Sequence, residues 1–261
     1  TESAVDVPKG TRVVVIGTGN SGHDIAQAFC QAGASVTMVQ RGPTYVMSQK
    51  NGIPALFGSL YSEHGPSLWK ADLLNASFPY LLQLEFAKPG TVEIAKMDAD
   101  LLAGLAKAGF DVGIGPDGTD EGLMGRALRR AGGYYIDVGC SQLIIDGTIK
   151  VRSGVGVETF TATSVVLDDG SALEADVVVL ATGFANMRET ARRLVGDAVA
   201  DRCGSVWDLD DEGEIMTLWR RSGHPRFWFM GGSLLAARMH SQWLALQILG
   251  GDNGDHPGGG S

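Results

Sequence analysis

The N-terminal part of the chain contains a glycine-rich sequence of the kind that holds phosphate groups. Gly17-Thr18-Gly19-Asn20-Ser21-Gly22 has the spacing G-x-G-x-x-G. The β-branched run Val13–Ile16 before it predicts a buried strand, and His23–Ala32 behind it predicts a helix with one apolar face. In such a unit the first glycine permits a tight turn, the second admits a diphosphate, and the third lets the helix pack closely. The spacing therefore predicts a dinucleotide site at the positive end of the helix.

The end of the next predicted strand indicates which dinucleotide is bound. Ser35–Val39 reads as that strand, and Gln40-Arg41 follows it. An NAD site places an acid there to bind the ribose 2′-hydroxyl. A guanidinium instead pairs with a 2′-phosphate. The residues Gln40 and Arg41 therefore predict NADP(H) rather than NAD(H).

Two alternatives to these assignments remain open at the level of sequence. The glycine-rich segment is also compatible with a turn that binds nothing. Arg41 is also compatible with a solvated surface arginine.

Composition limits the class of protein. The chain has 261 residues, of which 44% are hydrophobic and 20% charged, which is typical of a globular protein of one domain or one and a half. The net charge of −9 argues against nucleic acid or an anionic membrane as the main partner. Three widely spaced cysteines indicate a reducing compartment, so we expect a cytoplasmic protein without disulfides. No run of apolar residues is long enough for a membrane span, and no histidine spacing indicates a metal site.

The remainder of the chain predicts an α/β fold, with a Rossmann-like parallel sheet and a small antiparallel β meander at about 149–175. Asp176–Leu180 reads as another buried parallel strand, and Ala181-Thr182-Gly183 forms a small-residue turn where a nucleotide could lie.

Several helices are expected outside the predicted sheet. Short helices are expected over 50–90, followed by one continuous helix, Thr91–Ala108. The next helix, Leu123–Arg130, is expected to point Arg126, Arg129 and Arg130 to solvent. The last helix, Ser233–Leu249, is expected to bury Leu235, Met239, Trp243 and Leu246. For His23, a position at the protein surface is favoured over a contact with a cofactor.

Five stretches of the sequence resemble the flavin-containing monooxygenases. They are VVVIGTGNSGHDIAQ, VTMVQRGPTYV, GGYYIDVGCSQLIIDGTIKV, DVVVLATGF and HPRFWFMGGS, and the similarity runs from about Gly10 to Leu249. In that family an NADP domain is inserted into an FAD-binding Rossmann domain. The resemblance implies that Gly17, Gly19, Ser21 and Gly22 hold the NADP diphosphate and that Arg41 holds the 2′-phosphate.

The resemblance also implies roles for two later glycine-containing turns. Ala181-Thr182-Gly183 would lie where the chain crosses between domains. Gly231-Gly232 and the start of the last helix would face the flavin. NADP(H) and FAD are thus the implied cofactors, and NADPH, O2 and a small organic substrate are the implied reactants. No residue is identified as a general acid or base.

Two motifs of the family are not found in this sequence: the first G-x-G-x-x-G, which binds FAD, and the F-x-G-x-x-x-H linker. The chain therefore resembles the C-terminal part of such an enzyme, and we expect a longer parent chain. The expected division is an NADP-binding Rossmann domain at 10–180, the C-terminal part of an FAD-binding domain at 181–249, and a disordered tail at 250–261. The incomplete second domain is expected to expose an apolar face that permits association.

Three functional hypotheses follow. The first is the NADPH-binding part of a flavin-dependent monooxygenase. The second is a module that binds NADP(H) without turnover because the FAD half is missing. The third, a short-chain dehydrogenase, needs a Tyr-x-x-x-Lys pair, and none of the five tyrosines has a lysine four residues later.

Overall fold

The computed structural model describes Ala4 and residues 6–252. The chain divides into two compact units. The first comprises Thr1–Ser62, Glu85–Arg126 and Gly132–Gly183, and the second comprises Glu63–Leu84, Ala127–Ala131 and Phe184–Ser261. The predicted domains at 10–180 and 181–249 stay a prediction.

The first unit is built on a four-stranded parallel sheet. Its strands, in the order in which they lie side by side, are β10 (Val177–Leu180), β1 (Arg12–Ile16), β2 (Ser35–Gln40) and β6 (Ile149–Ser153). One face packs against α1 (Asn20–Gln31) through a cluster that includes Val13, Val15 and Ala26. The opposite face carries Val14 and Val39 against the antiparallel sheet. Because both faces of β1 are covered, its run Val13–Ile16 is apolar throughout, as the sequence indicates. The expected burial of the strand Asp176–Leu180 was wrong in part, because Val178 and Leu180 are 37% and 66% exposed.

Two smaller sheets complete this unit. A second parallel sheet has the order β4-β3-β5, with β3 at Thr44–Ser48, β4 at Val112–Gly113 and β5 at Tyr134–Asp137. The antiparallel sheet consists of β7 (Val157–Phe160), β8 (Ser164–Leu167) and β9 (Ala172–Glu174). The α/β class with a small meander is therefore confirmed. Its predicted start at 149 was wrong, because β6 pairs in parallel with β2 instead.

The helices lie in groups between these strands along the chain. After α1 they are α2 (Gln49–Phe57), α3 (Leu68–Ala76), α4 (Tyr80–Met97), α5 (Ala99–Lys107), α6 (Gly122–Arg130), α7 (Cys140–Ile145), α8 (Met187–Val195), α9 (Asp197–Ala200) and α10 (Leu234–Asp252). Of the short helices expected over 50–90, α2 and α3 are short, but α4 has 18 residues and runs on to Met97. No helix within residues 4 and 6–252 is long and apolar enough to cross a membrane.

The continuous helix expected over 91–108 was wrong, because it is interrupted at Asp98. The buried Asp98 carboxylate accepts hydrogen bonds of 2.7 Å from the Ser48 backbone N–H, the Ser48 hydroxyl and the Asn51 side chain. These bonds hold Asp98 outside regular helical geometry, so α4 and α5 are separate helices.

The expectation that Arg126 faces solvent was also wrong. Its side chain is buried, and Nη2 donates to the Pro43 carbonyl at 3.1 Å and to the Gly115 carbonyl at 2.8 Å. A buried guanidinium needs such acceptors. Arg126 therefore fixes the loop that lies two residues beyond Arg41.

The second unit contains α3, α8, α9 and α10. Arg192 pairs with Glu189, Asp197 and Asp201, which joins α8 to α9. In α10, Trp243 is 44% exposed and Leu246 is 66% exposed, so their expected burial was wrong. The expected tail begins inside α10, which extends to Asp252, and residues 253–261 lie outside the described part of the chain.

Candidate dinucleotide site

The candidate site is the turn that joins β1 to α1. The strand ends at Ile16, and the helix begins at Asn20 with Gly19 as its N-cap, three residues earlier than the sequence predicts. Gly17 donates its backbone N–H to the Val39 carbonyl at 3.0 Å, which ties the turn to the end of β2. The turn and Arg41 thus lie at the same carboxyl edge of the parallel sheet, where ligands bind in folds of this class.

The three glycines of the turn have different surroundings. Gly17 has a φ of +116°, and a Cβ there would overlap the Ala181 carbonyl. A Cβ on Gly22 would overlap the Gly17 carbonyl. A Cβ on Gly19 would meet only the Tyr134 carbonyl oxygen, at 3.8 Å. Gly17 and Gly22 are therefore required by the protein's own packing, whereas Gly19 leaves open space beside the backbone.

The start of α1 offers hydrogen-bond donors. Gly19 provides no side-chain cap, and the first turn of the helix carries no acidic residue. The Asn20 side chain is directed elsewhere, because its Oδ1 accepts from the Ile136 backbone N–H at 2.9 Å. Ser21 is exposed. The first backbone N–H groups of an uncapped helix bind anions readily.

Arg41 follows β2 directly and is exposed, so its guanidinium is accessible to a ligand. Gln40 is fully buried. Its amide pairs with the Asp111 backbone: Nε2 donates to the Asp111 carbonyl, and Oε1 accepts from the Asp111 N–H, both at 2.8 Å. Gln40 therefore supports the segment that carries Arg41, and a direct contact of Gln40 with a cofactor stays a prediction.

A buried pair of hydroxyl groups connects the turn to the segment beyond Arg41. Thr18 Oγ1 lies 2.7 Å from Thr44 Oγ1, and these residues are 8% and 2% exposed. Gln40 Nε2 donates to Thr44 Oγ1 at 3.2 Å. The sequence alone did not identify Thr44, although the pattern of a polar residue at the start of a buried strand marks it.

His23 is fully buried, which corrects its expected surface position. Its Nδ1 lies 3.1 Å from the Gly19 carbonyl, and its ring stacks on Tyr135 at 3.7 Å between centroids. Burial lowers the pKa of His23 to about 4, so the imidazole is neutral at pH 7. A neutral ring donates from Nδ1 to the carbonyl, which leaves Nε2 buried with no hydrogen-bond partner within the described residues.

The two other predicted turns lie in different units. Ala181 donates its N–H to the Ile16 carbonyl at 2.8 Å beside Gly17, and Thr182 and Gly183 are exposed. In the second unit, a Cβ added at Gly231 or Gly232 would lie 3.5 or 3.7 Å from the Trp207 ring, and Gly232 has a φ of +94°. Contact of these glycines with a cofactor stays a prediction. Within residues 4 and 6–252, no group of three or more His, Cys, Asp or Glu residues could hold a metal ion.

A known protein family matches the part of the chain that contains this turn. Residues 12–69 match the family described as pyridine nucleotide-disulphide oxidoreductase. The chain is 29% identical over 207 residues to the FAD-containing monooxygenase EthA of Mycobacterium tuberculosis, which covers 76% of this chain and 38% of EthA. It is 27% identical over 179 residues to flavin-containing monooxygenase 3 of Oryctolagus cuniculus, which covers 67% of this chain and 28% of that protein.

The fold has a counterpart among solved structures. An open crystal structure of cyclohexanone monooxygenase superposes with a TM-score of 0.51 at 16% identity and covers 96% of this chain and 56% of that one. The chain therefore spans well under two thirds of the length of the proteins it resembles. In sequence the chain is thus similar to FAD-containing and flavin-containing monooxygenases, and its fold is that of cyclohexanone monooxygenase.

Proposed function

We propose that this chain is the NADPH-binding part of a flavin-dependent monooxygenase, which uses NADPH and O2 to insert oxygen into a small organic substrate. The observation that carries the proposal is the open space at Gly19 beside an uncapped helix start. Gly17 and Gly22 are explained by internal packing, but the absence of a side chain at Gly19 is not. A diphosphate that approaches the backbone there explains it.

The residues of the turn fit a nicotinamide dinucleotide. Backbone N–H groups of Asn20 and Ser21 would bind the diphosphate, and the exposed Arg41 would pair with a 2′-phosphate. When bound, NADPH would supply a hydride, and a flavin would supply the reaction with oxygen. The names of the relatives, FAD-containing and flavin-containing monooxygenases, support the flavin as the second cofactor.

Titration of the purified chain with NADPH and NADH tests the proposal. We expect the parent protein to bind NADPH more tightly. Arg41→Ala should weaken NADPH binding by about ten- to a hundredfold, since a charge-assisted pair contributes about 1.5–3 kcal/mol, and should leave NADH nearly unchanged. Lys150→Ala, which removes an exposed cation from β6, is the matched control and should change neither. Equal losses for both dinucleotides in Arg41→Ala would contradict the assignment.

The flavin assignment needs a separate measurement. A visible flavin absorbance that remains with the purified protein, or appears when FAD is added, supports the monooxygenase. A colourless protein that binds NADPH but not FAD would support a dinucleotide-binding module instead.

A further inference from the structure

The two segments expected to contact NADPH are joined by side chains as well as by the backbone. Thr18 lies inside the Gly17–Gly22 turn, and Thr44 begins β3, three residues beyond Arg41. Their hydroxyl oxygens are 2.7 Å apart and buried. A buried hydroxyl without a partner costs about 1–3 kcal/mol, so the direction of each hydrogen bond in this pair is constrained.

Gln40 sets the direction of the first hydrogen bond. Its Oε1 accepts from the Asp111 N–H, and its Nε2 donates to the Asp111 carbonyl. These two bonds fix which end of the amide is oxygen and which is nitrogen. The amide nitrogen carries only donors. Since Nε2 lies 3.2 Å from Thr44 Oγ1, Thr44 must accept this bond.

The direction of the second hydrogen bond follows from the first. Within the part of the chain that the structure describes, Thr18 Oγ1 is the one acceptor within reach of the Thr44 hydroxyl hydrogen. Thr44 therefore donates to Thr18. Thr18 Oγ1 then accepts the hydrogen bond from the Thr44 hydroxyl. The hydrogen of the Thr18 hydroxyl is not used in these bonds and is available to a ligand.

We propose that Gln40, Thr44 and Thr18 form a one-way hydrogen-bond relay, which holds the Thr18 hydroxyl as a donor to the bound diphosphate. The proposal rests on the proposed function, because it requires an anion at the turn. Thr18 is the binding residue, whereas Thr44 and Gln40 are positioning residues that act through it. A phosphate has only acceptor oxygens, so a hydroxyl held as a donor suits it better than one free to rotate.

The relay also supports the segment that carries Arg41. Gln40 immediately precedes Arg41, and its amide is also held by Asp111. The same chain of bonds therefore fixes the turn that holds the diphosphate and the segment that presents Arg41 to the 2′-phosphate. A change at Thr44 should therefore weaken NADPH binding through Thr18 and through the segment that carries Arg41.

The test is a double-mutant cycle on the full chain, read as the dissociation constant for NADPH. Thr18→Val and Thr44→Val keep the side-chain shape and remove a hydroxyl. Each should weaken binding about tenfold, the effect of one hydrogen bond to a charged group. The double variant should be no more than about threefold weaker than the weaker single variant, because both changes interrupt the same relay.

Three further variants separate positioning from general damage to the fold. Thr44→Ser restores the hydroxyl and should recover most of the lost affinity. Thr37→Val, on the same strand as Gln40 but outside the relay, should bind as the parent does. Thermal unfolding of every variant reports stability. If Thr44→Val does not fold, Thr18→Val and Thr18→Ser carry the test, with the loss expected only for valine.

The failures are distinguishable. If the parent chain does not bind NADPH, the proposed function is overturned, and the relay with it. If the parent binds but Thr44→Val binds equally tightly, or the two single losses multiply in the double variant, the relay alone is overturned. If Thr44→Val does not fold, equal affinities of Thr18→Val and Thr18→Ser for NADPH would likewise overturn the relay alone.

Discussion

The substitution Gly19→Ala should abolish or strongly weaken dinucleotide binding while the protein remains folded. The backbone of Gly19 has φ −81° and ψ −174°, an extended conformation that alanine adopts freely. An added Cβ would meet only the Tyr134 carbonyl oxygen at 3.8 Å, which is ordinary van der Waals contact. The new methyl group would instead occupy the space through which we expect the diphosphate to approach.

The expected magnitudes separate binding from folding. Alanine is a poorer N-cap than glycine, but it loses less chain entropy on folding, so the free energy of unfolding should change by less than about 1 kcal/mol. Loss of one or two charge-assisted hydrogen bonds to the diphosphate, each about 1.5–3 kcal/mol, should weaken NADPH binding by at least about tenfold. Urea denaturation and a fluorescence titration with NADPH measure the two quantities.

Gly22→Ala is the matched control, since it makes the same chemical change three residues later. Its Cβ would overlap the Gly17 carbonyl, so α1 must move away from β1. Such overpacking typically costs about 1–3 kcal/mol, and we expect a clear loss of stability. If Gly19→Ala bound NADPH as the parent does, or if it unfolded as readily as Gly22→Ala, the division of roles among the glycines would be refuted.

Two further predictions concern buried groups near the site. The pKa of His23 is about 4 in the folded protein against 6.5 in the unfolded chain. As the pH drops, the unfolded chain therefore binds the proton first. The free energy of unfolding should fall by up to about 3 kcal/mol between pH 7 and pH 4. His23→Phe should reduce that slope in urea denaturation at several pH values, and an unchanged slope would contradict the assignment. Arg126→Met leaves the Pro43 and Gly115 carbonyls without their guanidinium donor and should cost roughly 2–4 kcal/mol. The exposed Arg193→Met should change stability by no more than about 0.5 kcal/mol, and equal effects of the two variants would show that Arg126 is not structural.

The strand–turn–helix unit could be predicted from the sequence because its signals are local. Four β-branched residues, the glycine spacing and one apolar helix face all lie within twenty residues. The strand that pairs in parallel with Val13–Ile16 could also be predicted as a strand, since Val177–Leu180 is a wholly apolar run. The predicted turn therefore lies at the sheet edge where a ligand is expected.

The supporting residues could not be predicted, because their surroundings come from distant parts of the chain. Gln40 is held by Asp111, 71 residues away, and Arg126 is held by Pro43, 83 residues away. A polar side chain in isolation favours a position at the surface. The burial of His23 had one local signal: it lies three residues before Ala26, on the same helix face, once the helix is taken to begin at Asn20.

The NADPH and flavin assignments depend on separate parts of the molecule, and this determines what each result means. The Gly17–Gly22 turn, Arg41 and the relay all belong to the first compact unit, whereas Gly231-Gly232 belongs to the second. NADPH binding can therefore be measured on this chain without any assumption about FAD. A substitution in the Gly17–Gly22 turn should change the affinity for the dinucleotide and leave the flavin absorbance unaltered. The reason is that Gly17 and Gly22 pack only against residues of the first unit. Loss of both cofactors from a single change in the turn would mean that the two sites are coupled and that neither can be altered alone.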